Sequence, residues 1–149
     1  MGTERDWVRV VATQVCDECG LDAASLPRDE LAAQIGHAAA SWTVLLDATP
    51  ASRLRVRVHD SPWSPLEYAG HVVGVLEVFG PRIDRMLAEE APELGWWDHE
   101  AAVVEVGDQQ ADPDRVGAAL RAAADALTAR LAGLDDEQWG RTGVRRAGE

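Results

Sequence analysis

The chain contains no lysine, and all of its 14 basic residues are arginines, against 26 acidic residues. This bias, with an excess of alanine and valine, indicates a GC-rich genome rather than a binding site. The formal net charge of -12 repels phosphate backbones, so we expect no nucleic-acid binding. No apolar run is long enough to cross a membrane, and the first residues lack a secretory apolar region. These absences predict a cytoplasmic protein.

Cysteine is also scarce, with only Cys16 and Cys19. Their Cys-x-x-Cys spacing is too close to link distant parts of a fold and is typical of a zinc knuckle or a reduced pair. A zinc ion would need two further ligands, and no second such pair exists. We expect two reduced cysteines in a tight turn, with a metal half-site completed by a histidine as the alternative. Nucleophile elbows, phosphate-binding glycine loops and dinucleotide fingerprints are absent too.

The remaining composition, 46% hydrophobic and 27% charged over 149 residues, predicts a single globular domain at 1–149. Residues 1–27, which include the cysteine pair, have poor periodicity and are predicted to form an irregular N-terminal arm. Residues 140–149 have no apolar pattern and are predicted to be a loop-like tail.

Apolar residues at helical spacing predict three long amphipathic helices. The first runs from about Pro27 to Ala48, the second from about Ser64 to Glu90 with a kink at Gly80-Pro81, and the third begins at Asp112-Pro113. The predicted core positions of the first helix are Leu31, Ile35, Ala38, Trp42, Leu45 and Leu46.

Between the first two helices, Leu54–His59 alternates apolar and polar residues. Such alternation is typical of a strand, and a connecting extended segment explains it equally well.

His71 is the main candidate for a functional residue, because it lies in an apolar helix where an unsatisfied imidazole is costly. Glu67 lies four residues earlier, on the same helix face. The carboxylate either orients the ring while the other ring nitrogen binds a metal, or simply forms a hydrogen bond with it at the bundle rim. The other histidines, His37, His59 and His99, are predicted to be surface or boundary residues.

Several segments carry a resemblance to a known family. Residues Trp63–Val72 resemble the second-helix motif of the DinB-like superfamily, four-helix bundles that include thiol-dependent metalloenzymes such as maleylpyruvate isomerase. Gly95–Val104 is similar to the inter-helix segment of its actinobacterial members. Further similar segments are Cys16–Asp22, Asp112-Pro113 and Trp139–Gly143.

The resemblance implies an all-α, up-down DinB-like bundle with three of its long helices visible. In that family one histidine of the second helix and a His-x-x-x-His pair of the fourth hold the metal. His71 matches the first of these, and the pair has no counterpart because the sequence stops where the fourth helix is expected. Zinc or nickel and a low-molecular-weight thiol are the implied cofactors.

Two functional hypotheses follow. The first is a metal-binding DinB-like protein with an incomplete metal site, related to thiol-dependent transferases or isomerases that act on a small molecule. The second is a non-catalytic helical module, in which the groove left by the fourth helix is filled by a second copy in a homodimer or by another protein.

Overall fold

The structure, a computed structural model, describes residues 13–17, 19–98, 101–103 and 110–145. It is mostly helical, as predicted, and three helices are long. Among the described residues, the helices with both ends described are, in chain order, α1 (Arg28–Ala48), α2 (Ala51–Leu54), α3 (Pro65–Ala88), α4 (Pro113–Ala132) and α5 (Asp136–Trp139), and a 3-10 turn at Ala23–Ser25 precedes them.

The starts of α3 and α4 follow from their capping residues. Ser64 accepts a hydrogen bond from the backbone of Glu67 at the start of α3, and Asp112 accepts one from Asp114 at the start of α4. In both helices a proline follows the cap, where its missing amide hydrogen costs nothing. The predicted starts of these two helices are therefore confirmed. Helix α3 continues through Pro81 and ends at Ala88, two residues before the predicted end.

Helix α4 packs against both α1 and α3. The cluster at this junction joins Ala39 of α1 and Leu76 of α3 to Leu120, Ala124 and Leu127 of α4. A second cluster nearer the start of α3 contains Leu46, Leu54, Leu66 and Ala69. Trp42 contacts both clusters, so α1 is held along much of its length.

The predicted core face of α1 is partly wrong. Ala38 and Leu45 are exposed, Leu45 to 42%, while Ile35, Trp42 and Leu46 pack in the clusters as predicted. Each of the two exposed residues is one position before a buried one, Ala39 or Leu46, and therefore lies about 100° away around the helix. The apolar stripe of α1 is wider than the face that its partners cover.

The alternating segment after α1 is not a strand. Leu54 ends the one-turn helix α2, and the residues that follow form a connecting segment, which was the other interpretation of the pattern. Val56 and Val58 are 53% and 56% exposed. The alternation therefore does not mark a half-buried sheet face.

A short parallel pairing joins β1 (Glu93–Leu94) to β2 (Val144–Arg145). Val144–Arg145 is therefore a strand within the tail that the sequence predicts to be loop-like. Two-residue strands are too short to produce a sequence pattern. Arg141 supports it by donating hydrogen bonds to the carbonyls of Met86 and Glu89 at the end of α3. Within the described residues, no helix is long and apolar enough to span a membrane.

Candidate functional site around His71

His71 lies in the second turn of α3, between two tryptophan side chains. Its ring centroid is 5.1 Å from that of Trp63, at an interplanar angle of 46°, and 5.9 Å from that of Trp97, at 1°. Trp63 also makes an edge contact with Tyr68, three residues before His71. Trp97 lies against Gly74, which is three residues after His71. Since these two positions are on opposite sides of His71 around the helix, the two indoles flank the imidazole.

The aromatic neighbours determine how a ligand reaches this ring. Trp97 stacks parallel to the imidazole, the ring is half-buried, and its Nδ1 atom is buried. Imidazole nitrogens bind metals and form hydrogen bonds in the plane of the ring. A stacked indole therefore covers a face of the ring rather than the edge at which these nitrogens form their bonds.

Gly74 makes room for this stacking. A Cβ atom at this position would lie 3.3 Å from Cζ2 of Trp97, closer than ordinary van der Waals contact. A residue with a side chain would displace the indole from this position. The sequence alone gives no sign of this requirement, because Trp97 comes from a distant segment.

Glu67 directs its carboxylate toward the start of α3 rather than toward His71. Oε1 accepts a hydrogen bond from Nη2 of Arg57 at 2.6 Å, and Oε2 accepts from Nε of Arg57 at 3.1 Å and from the backbone N–H of Ser64 at 2.7 Å. Together with the Ser64 hydroxyl, which accepts from the Glu67 N–H, this is a complete capping box. Glu67 and His71 are thus four residues apart on one helix, as the sequence shows, but the hydrogen bonds of the carboxylate go to Arg57 and Ser64.

The surroundings of Glu67 stabilise its charged form. The Arg57 guanidinium, helped by the Ser64 backbone and hydroxyl groups, lowers the pKa of the Glu67 carboxyl from about 4.5 to about 2 despite its burial. Sequence reasoning missed Arg57, because a pair ten residues apart across a turn has no periodic signature.

Among the described residues, Cys16 and Cys19 form no disulfide bond and lie at the turn that the sequence predicts. The turn is closed by a hydrogen bond from the Gly20 N–H to the Cys16 carbonyl and one from the Cys16 N–H to the Leu21 carbonyl, both 2.8 Å. Gly20 has a φ of 74°, which glycine adopts at little cost.

The part of the chain that the structure describes contains no group of three or more His, Cys, Asp or Glu side chains that could hold a metal ion. His37 and His59 are exposed, as predicted. His99 lies outside the described residues.

Comparisons with known proteins identify the family. A family model of the DinB superfamily matches residues 34–149. The chain belongs to the DinB superfamily. The resemblance read from Trp63–Val72 and the later segments is therefore confirmed.

The fold of this DinB-superfamily chain is similar to that of YfiT from Bacillus subtilis, with a TM-score of 0.72 and 22% sequence identity. The match covers 78% of this chain and 66% of YfiT, so the chain spans about two thirds of that protein's length. YfiT is described as a probable metal-dependent hydrolase with an unusual four-helix bundle topology. At this identity the likeness establishes the bundle fold. No curated protein matches the chain.

Proposed function

We propose that this DinB-superfamily protein binds a divalent metal ion, zinc or nickel, and that His71 supplies one ligand. The observation that carries the proposal is the imidazole of α3 held between Trp63 and Trp97, at centroid distances of 5.1 and 5.9 Å. The bundle fold of the protein is similar to that of YfiT, which is described as a probable metal-dependent hydrolase. This likeness supports metal-dependent chemistry for the present protein.

The described residues do not fit a metal ion by themselves. Protein sites for zinc use three or four side-chain ligands, whereas the described residues around His71 offer one, because Glu67 is engaged by Arg57 and Ser64. The proposal therefore requires ligands from elsewhere. Once bound, a divalent ion would activate a water or a low-molecular-weight thiol as a nucleophile, so hydrolysis and thiol-dependent transfer or isomerisation are the proposed reaction classes.

Metal analysis tests the proposal directly. The untagged protein is purified without chelator, and its metals are quantified beside those of His71→Ala and His37→Ala. His37 is the matched control because it is an exposed histidine of α1. We expect stoichiometric zinc or nickel in the wild type and in His37→Ala, and its loss in His71→Ala. If the wild type carries no stoichiometric metal, or if His71→Ala retains it, the proposal is wrong.

A second candidate function is association with another copy of the chain. Val44 and Leu45 on α1 are 66% and 42% exposed, and Phe79 on α3 is 45% exposed. Val44 and Leu45 are adjacent in the chain, and a contiguous apolar patch built on them would favour an interface. Sedimentation of the wild type and of Leu45→Glu tests this candidate. A homodimer that dissociates in the variant supports it, and a monodisperse wild-type monomer with little binding of apolar dyes contradicts it.

A further inference from the structure

We infer that Arg57 and Glu67 are positioning residues of the His71 site, and that their ion pair holds the Trp63-bearing turn against the imidazole. The inference rests on the proposed function only in taking His71 as the functional side chain. It gives Glu67 a role that acts through Arg57 and Trp63 rather than through contact with the ring.

The ion pair closes a short loop of the chain. Arg57 lies in the connecting segment, Glu67 lies in the first turn of α3, and Trp63 lies between them in sequence. Two parallel hydrogen bonds, 2.6 and 3.1 Å long, join the guanidinium to the carboxylate. A two-pronged contact of this kind fixes both distance and orientation. The Trp63-bearing turn is therefore anchored at its two ends.

Hydrogen bonds also hold the backbone of this turn directly beside Trp63. Ser64, which follows Trp63, is fully buried, and its N–H donates to the same carboxylate at 2.7 Å. Ser61 donates from its hydroxyl to the Trp63 carbonyl at 2.8 Å. Both groups belong to the peptide that joins Trp63 to Ser64, so this peptide is hydrogen-bonded at its carbonyl and at its N–H. These hydrogen bonds fix the backbone of Trp63 and thereby position its indole, whose centroid is 5.1 Å from that of the imidazole.

The ion pair does more than the helix cap requires. Glutamine at the third position of a helix can complete a capping box as well as glutamate does. Glu67 is 5% exposed, and a buried carboxylate is costly unless it is paired and hydrogen-bonded. The ionised pair adds a charge-assisted link from the helix to the connecting segment. Glu67→Gln separates these roles, because the amide oxygen still accepts from Ser64 while the salt bridge is lost.

The test uses NMR signals of the His71 ring in metal-free protein. Aromatic rings shift the signals of protons near their faces, so the His71 ring protons report the positions of Trp63 and Trp97. His71→Gln assigns the signals, and Trp63→Leu defines their position when the indole is removed. Glu67→Gln and Arg57→Gln are compared with Glu89→Gln. Glu89→Gln is the matched control, because it breaks the exposed Arg85–Glu89 pair at the far end of the same helix.

We expect Glu67→Gln and Arg57→Gln to move the His71 signals in the direction seen in Trp63→Leu, and Glu89→Gln to leave them in place. Unmoved signals in folded Glu67→Gln and Arg57→Gln would overturn the inference, as would an equal shift in Glu89→Gln. If Glu67→Gln does not fold, Arg57→Gln decides, since the Arg57 side chain is 48% exposed and its loss is better tolerated.

A metal-binding measurement separates this inference from the proposed function. If the wild type binds zinc or nickel, we expect Glu67→Gln to weaken the affinity about tenfold, the scale typical of groups that orient a metal ligand, and Glu89→Gln to leave it unchanged. Equal affinities in Glu67→Gln and the wild type contradict the positioning role. If the wild type binds no metal, the proposed function fails, and the His71 ring signals still decide the placement of Trp63.

Discussion

Gly74 of α3 lies against the indole of Trp97, which comes from a distant segment of the chain. A Cβ atom added to Gly74 would lie only 3.3 Å from the indole Cζ2 atom. The hydrogen side chain of Gly74 therefore lets Trp97 reach the imidazole of His71. A glycine in a helix interior costs about 0.5–1 kcal/mol relative to alanine. The contact with Trp97 gives a structural reason for this glycine in α3.

Gly74→Ala is predicted to displace the Trp97 ring without a large change in stability. The gain in helix propensity, up to about 1 kcal/mol, is offset by the tighter contact with the indole. Near-UV circular dichroism and the His71 ring signals measure the displacement, and urea unfolding measures the stability. The matched control is Gly36→Ala in α1, where a Cβ atom meets nothing within 4 Å. We expect Gly36→Ala to raise the stability by about 0.5–1 kcal/mol and to leave both spectra unchanged. A Gly74→Ala protein with wild-type spectra contradicts the argument.

Acid is predicted to weaken the fold through Glu67. The folded-state pKa, about 2, lies below the ordinary value of 4.5, so the ionised carboxylate stabilises the native state above about pH 4.5. This contribution is lost as the pH falls from 4.5 through 2. We expect a loss of about 2 kcal/mol, after allowing for the half-exposed Arg57 partner.

Urea unfolding between pH 6 and pH 2 measures this loss. Glu67→Gln has no carboxyl at this position, so its stability should fall less than that of the wild type over the same range. Equal pH dependence of the two proteins would show that the pair is not the cause.

Two leucines that the apolar pattern does not distinguish are predicted to differ in importance. Leu120 of α4 is fully buried at the junction with α1 and α3, whereas Leu45 of α1 is 42% exposed. Leu120→Ala should cost about 2–5 kcal/mol, the range for buried leucines, and Leu45→Ala less than about 1 kcal/mol. Urea unfolding of the two variants tests the difference. A cost for Leu45→Ala close to that of Leu120→Ala would mean that Leu45 is covered.

Gly143→Ala is predicted to loosen the pairing of β1 with β2. A Cβ atom there would lie 2.8 Å from Cδ1 of Leu94 and 3.2 Å from Cγ of Met86, so one of the segments must move. The Val144 N–H, which donates to the Pro92 carbonyl at 2.9 Å, should then exchange with solvent at least about tenfold faster, equivalent to about 1.4 kcal/mol. Gly95→Ala, beside β1 with nothing within 4 Å of its Cβ position, is the control. Unchanged exchange in Gly143→Ala contradicts the prediction.

The sequence predicted the features of this fold that depend on neighbouring residues. Ser64-Pro65 and Asp112-Pro113 mark helix starts because a cap and a proline act within one turn. The motif around His71 likewise identified the family and the candidate residue. Periodicity failed at Leu45, because it shows that a stripe is apolar but not how much of it a partner covers.

The remaining parts of the site depend on contacts between segments. Arg57 meets Glu67 only after the chain turns into α3, and Trp97 meets Gly74 only when β1 runs beside that helix. Neither relationship has a characteristic spacing. The same holds for β1 and β2, whose two-residue strands are separated by the whole of α4.

The pairing of β1 with β2 also constrains how the protein opens. Backbone hydrogen bonds join the two ends of the segment that contains α4, so this helix lies within a closed loop of the chain. A helix whose two flanking segments are joined cannot separate from its neighbours by rotating about one end. We therefore expect α4 to leave α1 and α3 only in a cooperative opening that also breaks the strand pairing. Partial unfolding that exposes Leu120 should then release the protection of the Val144 amide at the same time.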